Sequence, residues 1–185
     1  MPDVRLAVFV LVTAALAYLS RASLVRPRSH GFVRFFVFEA VLGLFLLNAL
    51  QWFVDPLSWH QVISWVLLMC SLVPLILGVW ALQAHGKPNA SDRPDPELLG
   101  FERTSRLVDE GVFGLIRHPM YCSLLLFAWG VFMKAPALPA AALALGATAG
   151  LILMAKRDED ECQRAFGVPY REYMRRTRRF IPYVY

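Results

Sequence analysis

Gly111-Val-Phe-Gly-Leu-Ile-Arg117-His118-Pro119-Met120-Tyr121 joins a long polar segment to an apolar run that begins at Met120. Pro119 has no N–H and a fixed φ, which suits the first turn of a helix. Arg117 and His118 therefore fall at a helix N-terminus, where unpaired N–H groups and the helix dipole favour an anionic group. With Tyr121 in the first turn, this points to a polar pocket at a membrane surface. Anchoring of Arg117 to lipid headgroups is the simpler alternative.

The surrounding chain sets that junction in a membrane. Of 185 residues, 57% are hydrophobic and 18% charged, and the mean hydropathy is +0.48. That is too apolar for an ordinary soluble domain. Five apolar runs stand out: Leu6–Leu19, Phe32–Val54, Val62–Ala84, Met120–Met133 and Ala137–Ala155. The first competes with a signal peptide, since Ala15-Leu16-Ala17 resembles a cleavage site, but its start is not clearly basic. Glu39, inside the second run, is read as paired with Arg34 or held at headgroup depth. The fifth run is rich in Ala and Gly, which lets helices approach closely. Cys70, Cys122 and Cys162 have no metal-ligand spacing and are read as small buried residues without disulfides. Neither a metal nor a nucleic-acid partner is expected.

Basic residues decide the orientation. Arg21, Arg26 and Arg28, the segment 85–118, and the tail from Lys156 all fall on one side if the chain crosses five times. The positive-inside rule makes that side cytoplasmic and the N-terminus external. The expected fold is therefore all-α: a polytopic, multi-pass integral membrane protein of about five transmembrane helices with a cytoplasmic C-terminal amphipathic helix. Residues 1–84 form three N-terminal spans and residues 85–185 a functional half. Cys162, Phe166, Tyr170 and Tyr173 mark the apolar face of the tail helix, with a break expected at Gly167 to Pro169. The polar stretch 85–116 is too long for an idle connector and is read as a lid.

The short connection 134–136 makes the fourth and fifth spans antiparallel neighbours. That brings Arg117-His118 and Asp158-Glu159-Asp160-Glu161 to the same membrane face. His118, Tyr121 and an acid can then share one pocket, suited to a ligand with a cation, an aromatic plane and hydroxyls. Asp160 and Glu161 are read as parts of a solvated helix face.

Leu107-Val108-Asp109-Glu110-Gly111-Val-Phe113, Arg117-His118-Pro119-Met120-Tyr121, Asp158-Glu159 and Phe166-Gly-Val-Pro-Tyr170-Arg-Glu-Tyr173 stand in order along residues 75–185. In these blocks the chain resembles the isoprenylcysteine carboxyl methyltransferase family, a broad group that includes phospholipid methyltransferase-like proteins. The resemblance implies an S-adenosyl-L-methionine-dependent methyltransferase with its active site on the cytoplasmic side. Leu107, Val108, Phe113, His118, Pro119, Met120, Tyr121, Asp158 and Glu159 would hold the methyl donor, and Arg117 and Glu159 would be catalytic. A small lipophilic acceptor would enter from the bilayer. Two departures stand out: Phe113 replaces the family's usual Tyr, and Met154 occupies a position where prenylcysteine enzymes carry an Arg. Met154 makes a carboxylate-bearing prenylcysteine a poor acceptor, because a thioether cannot donate a hydrogen bond. The alternatives are a prenylcysteine enzyme proper, a non-catalytic protein that keeps the fold, and a membrane reductase. The short chain argues against the reductase.

Overall fold

Each apolar run folds as a helix, because a backbone inside lipid must satisfy its own polar groups. The computed structural model describes residues 2–86, 106–182 and 184. The helices are α1 (Pro2–Leu19), α2 (Arg21–Leu24), α3 (His30–Leu47), α4 (Trp59–His85), α5 (Pro119–Phe132), α6 (Leu138–Phe166) and α7 (Val168–Arg176). The described residues contain no strand, only an isolated bridge between Ile116 and Arg178.

Local chemistry sets the ends. The Ser29 side chain caps α3 by accepting from the Phe32 N–H at 3.1 Å. Pro119 opens α5. Gly167, with φ 64° and ψ −129°, ends α6 and turns the chain into α7, a conformation open to glycine alone at little cost. The expected break in the tail is thus present. The second apolar run is shorter as a helix than expected: α3 stops at Leu47, and a 3-10 turn follows at Ala49–Gln51.

The helices pack side by side. Ala140, Ala144 and Ala147 of α6 are buried against Leu44, Leu68, Ala128 and Val131, so small residues do bring the backbones together. A Cβ on Gly130 would lie 2.9 Å from the Leu68 side chain, which ties α5 closely to α4. Gly78 of α4 faces Pro119 and Met120, and Gln61 of α4 bonds Lys134. The whole of α5 therefore lies antiparallel along α4 between those points.

Three helices, α3, α4 and α6, are long and apolar enough to cross a membrane, while α5 and Val4–Leu19 are shorter. Val66, Val73, Ile76 and Trp80 of α4 are exposed. An apolar face of that extent belongs in lipid. The chain is an integral membrane protein with several apolar helices. Cys70 is exposed on α4, against the expectation of burial, and all three cysteines are free. Glu39 accepts a hydrogen bond from Thr13 Oγ1 at 2.6 Å, which joins α3 to α1. Most of the expected lid, residues 87–105, lies outside the described residues; its remaining part turns at Gly111–Gly114 and packs on α4.

Candidate functional site

The junction at Arg117-His118 is held by the far end of the chain. The Arg117 N–H donates to Arg178 O at 2.7 Å and the His118 N–H to Arg179 O at 3.2 Å. The segment after α7 thus lies along the start of α5. Phe180 packs near the His118 ring, 6.0 Å between centroids.

Antiparallel packing of α5 and α6 brings two adjacent acids to this point. Tyr121 O–H donates to Asp158 Oδ2 at 2.9 Å. His118 Nδ1 lies 3.5 Å from the same oxygen, and its Nε2 lies 3.3 Å from Glu159 Oε1. The His118 and Tyr121 rings stack at 5.0 Å and 7°. Burial alone would lower the His118 pKa, but hydrogen bonds and charge from Asp158 and Glu159 outweigh it. The imidazole is held above its ordinary 6.5.

Glu159 has a different environment. It accepts from Arg117 Nε at 2.8 Å and from Arg179 Nη2 at 2.6 Å. Arg117 also donates to Thr177 O at 2.6 Å. The Glu159 side chain is 3% exposed. These are the contacts of a compensated buried ion cluster.

Beside this cluster is an open cleft of about 710 Å³, counted out to its mouth. Leu107, Val108, Phe113, Arg117, His118, Pro119, Met120, Tyr121 and Asp158 all line it. Every residue singled out from the sequence is therefore gathered at one cleft except Glu159, which is not among the described lining residues. His30, Leu82, Cys162, Phe166, Tyr170 and Tyr173 also line it. The last four were legible only as the apolar face of the tail helix, and His30 carried no sequence signal. Glu161, read as solvated, instead bonds His30 Nδ1 at 2.6 Å, while Asp160 is exposed as expected. Tyr173 donates to Phe113 O at 2.7 Å, and burial raises the phenol's pKa.

A family model described as a protein of unknown function (DUF1295) matches residues 18–177. The Delta(14)-sterol reductase TM7SF2 of Mus musculus is 34% identical over 99 residues, covering 49% of this chain and 24% of the relative. The chain thus spans about a quarter of that relative's length. No solved structure matches.

These similarities overturn the methyltransferase reading: the family that matches is DUF1295 and the relative is a reductase, not a methyltransferase. S-adenosyl-L-methionine falls as cofactor with it, and so does the methyl acceptor. The physical reason lies in the motif blocks. They build a helix N-terminus facing carboxylates beside aromatic rings, an arrangement that takes many charged ligands and does not itself select a sulfonium. Glu159, one of the acids expected to hold that cation, is already neutralised by Arg117 and Arg179. Met154 is a core residue, 1% exposed, packed with Tyr121 and Phe180.

Proposed function

The chain belongs to the DUF1295 family, and on that premise we propose that it is a reductase-like membrane protein. It would use a reduced nicotinamide dinucleotide, such as NADPH, to saturate a double bond in a lipophilic, sterol-like substrate. The similarity to a Delta(14)-sterol reductase supports the reaction class. The observation that carries the reading is Tyr121: its hydroxyl is bonded to Asp158 and its ring is stacked on a readily protonated His118, in a cleft with apolar walls.

The residues present fit the cofactor. Phe113, Phe166 and Tyr170 offer flat apolar faces for a heteroaromatic ring. Asp158 is an acceptor for ribose hydroxyls. The Met120 and Tyr121 N–H groups in the first turn of α5, beside a protonated His118, suit a phosphate.

A bound reduced nicotinamide supplies the hydride. The protein's part is the proton that the neighbouring carbon must take up. Tyr121 O–H is the donor at the cleft wall. Asp158 Oδ2 orients that hydroxyl and also lies 3.5 Å from His118 Nδ1. The imidazolium can therefore return the proton to Tyr121 through the shared carboxylate oxygen. Arg117, Glu159 and Arg179 hold His118 in place from behind.

Fluorescence titration of the detergent-solubilised protein with NADPH tests the reading. Emission of the reduced ring should rise as it enters the apolar cleft, and incubation with membrane lipid extract should yield a product heavier by two hydrogens. Absence of dinucleotide binding, with S-adenosylhomocysteine bound instead, would overturn it.

We also infer five crossings, with the cleft on the cytoplasmic face, from the basic-residue partition and from α5 lying along α4. Cysteines placed at Ser58 and Ser91, with Cys70 removed, should label from opposite sides of sealed vesicles. Labelling of both from one side would refute the topology.

A further inference from the structure

Tyr121, Tyr170 and Tyr173 all line the cleft. Two of these hydroxyls are spent on the protein itself: Tyr121 donates to Asp158 and Tyr173 to Phe113 O. Tyr170 differs. It is 4% exposed, and its ring is held by Phe166, stacked at 6.5 Å and 23°, and by Tyr173, edge-on at 5.6 Å. Its hydroxyl has no hydrogen-bond partner among the described residues. A buried phenol usually has one, because a donor stripped of water and left unpaired is costly.

The oxygen is not sealed in either. Among the described residues, the side-chain polar atoms enclosed without a partner are Glu39 Oε1 and Trp52 Nε1. The Tyr170 hydroxyl therefore opens on accessible space, and the space that this buried ring borders is the cleft.

The surroundings also fix what the hydroxyl can do. Burial first, and then repulsion from Cys162, Asp158 and Glu159, push the phenol far above its ordinary 10.0. The group stays an O–H donor at any working pH. The same acids repel an anion, so a phosphate is a poor match here and an uncharged acceptor fits. NADPH carries such acceptors on both of its ring systems: the carboxamide oxygen of the nicotinamide and the ring nitrogens of the adenine.

We propose that the Tyr170 hydroxyl is a specificity-determining donor, bonded to an uncharged acceptor on one of the cofactor's two ring systems. This rests on the reductase reading above and adds a residue that reads the cofactor's rings.

Tyr170→Phe tests it, because the ring and its stacking are kept and only the O–H is removed. NADPH should bind about 3- to 10-fold more weakly, the scale of one lost hydrogen bond. The unfolding midpoint should stay at the wild-type value, since no bond within the protein is lost. Tyr173→Phe is the contrast for stability: it breaks the bond to Phe113 O and should lower the midpoint. The two halves of the cofactor, each titrated as a competitor of NADPH, locate the acceptor. If reduced nicotinamide mononucleotide weakens in Tyr170→Phe and the adenosine bisphosphate half does not, the acceptor is the carboxamide; the reverse places it on the adenine. An unchanged NADPH affinity overturns the proposal while the reductase reading stands. A midpoint that falls together with the affinity, or an equal weakening of both halves, also overturns it, since either marks a structural hydroxyl. Failure of the wild type to bind NADPH overturns both.

Discussion

The two ends of α5 bury charge in opposite ways. At its start, Arg117, His118, Asp158, Glu159 and Arg179 form a mutually compensated cluster, part of which faces an open cleft. Just past its end, Lys134 is 1% exposed. Its Nζ sits 3.4 Å from the Trp65 ring centroid and 5.2 Å from that of Trp52, and it donates to Gln61 at 3.0 Å. Among the described residues it has no carboxylate partner within salt-bridge distance, and burial lowers its pKa. Aromatic faces and one amide replace a counter-ion there. The lesson is that a buried charge does not by itself mark a site: the cluster that opens on a void can act on a ligand, while the sealed one ties α4 to α5.

Breaking the cluster should have the largest effect. Glu159→Ala leaves Arg117 and Arg179 without their shared carboxylate, and loss of one partner of a buried pair costs about 3–5 kcal/mol. Unfolding in a denaturing detergent series should show it, and a loss under about 1 kcal/mol would mean the cluster is hydrated rather than buried.

Tyr121→Phe comes next and separates chemistry from binding. The phenol ring and its stacking remain, so NADPH affinity should hold within about twofold while turnover falls roughly 100-fold or more, the scale of a lost general acid. Equal losses in both would make Tyr121 a binding group instead.

At the sealed end, Lys134→Met should cost about 1–2 kcal/mol, through the lost cation–π contact and an unpaired Gln61 oxygen. NADPH affinity should not change. A shift in affinity would show that the two ends of α5 are coupled.

The smallest effect is a pH dependence. The His118 pKa is raised in the folded protein above its ordinary 6.5. The stability it contributes is therefore fully present below pH about 6.5 and is lost as pH rises through the raised value. Unfolding free energy measured across that window should fall with pH in the wild type and be flatter in His118→Gln. A wild-type curve that rises instead would mean the ring is buried neutral.

Much of the architecture could be read from local chemistry. Apolar runs made the helices, Pro119 and Gly167 placed two of their ends, and the short connection 134–136 forced α5 and α6 together. That alone brought His118 and Tyr121 to Asp158, since helices joined by so few residues have no other arrangement. The motif blocks were legible as a site but not as a ligand, because aromatic rings, a helix N-terminus and acids accept donors of different chemistry. The length of the chain was a poor guide too: it argued against a reductase, yet a relative it matches is one.

Tertiary packing decided the rest. Nothing in residues 21–31 distinguishes His30 from a surface histidine; its anchoring follows from a carboxylate 131 positions later. Glu161 was misread for the same reason, since its spacing on α6 suits a solvated face and its partner, His30, comes from α3. Asp158 and Glu159 are neighbours of like charge in sequence. They part company because one meets Tyr121 at the cleft and the other meets two arginines behind it. Helical periodicity says which residues share a face; which face meets a void and which meets a counter-charge depends on elements distant in sequence, and those meet only when the chain has folded.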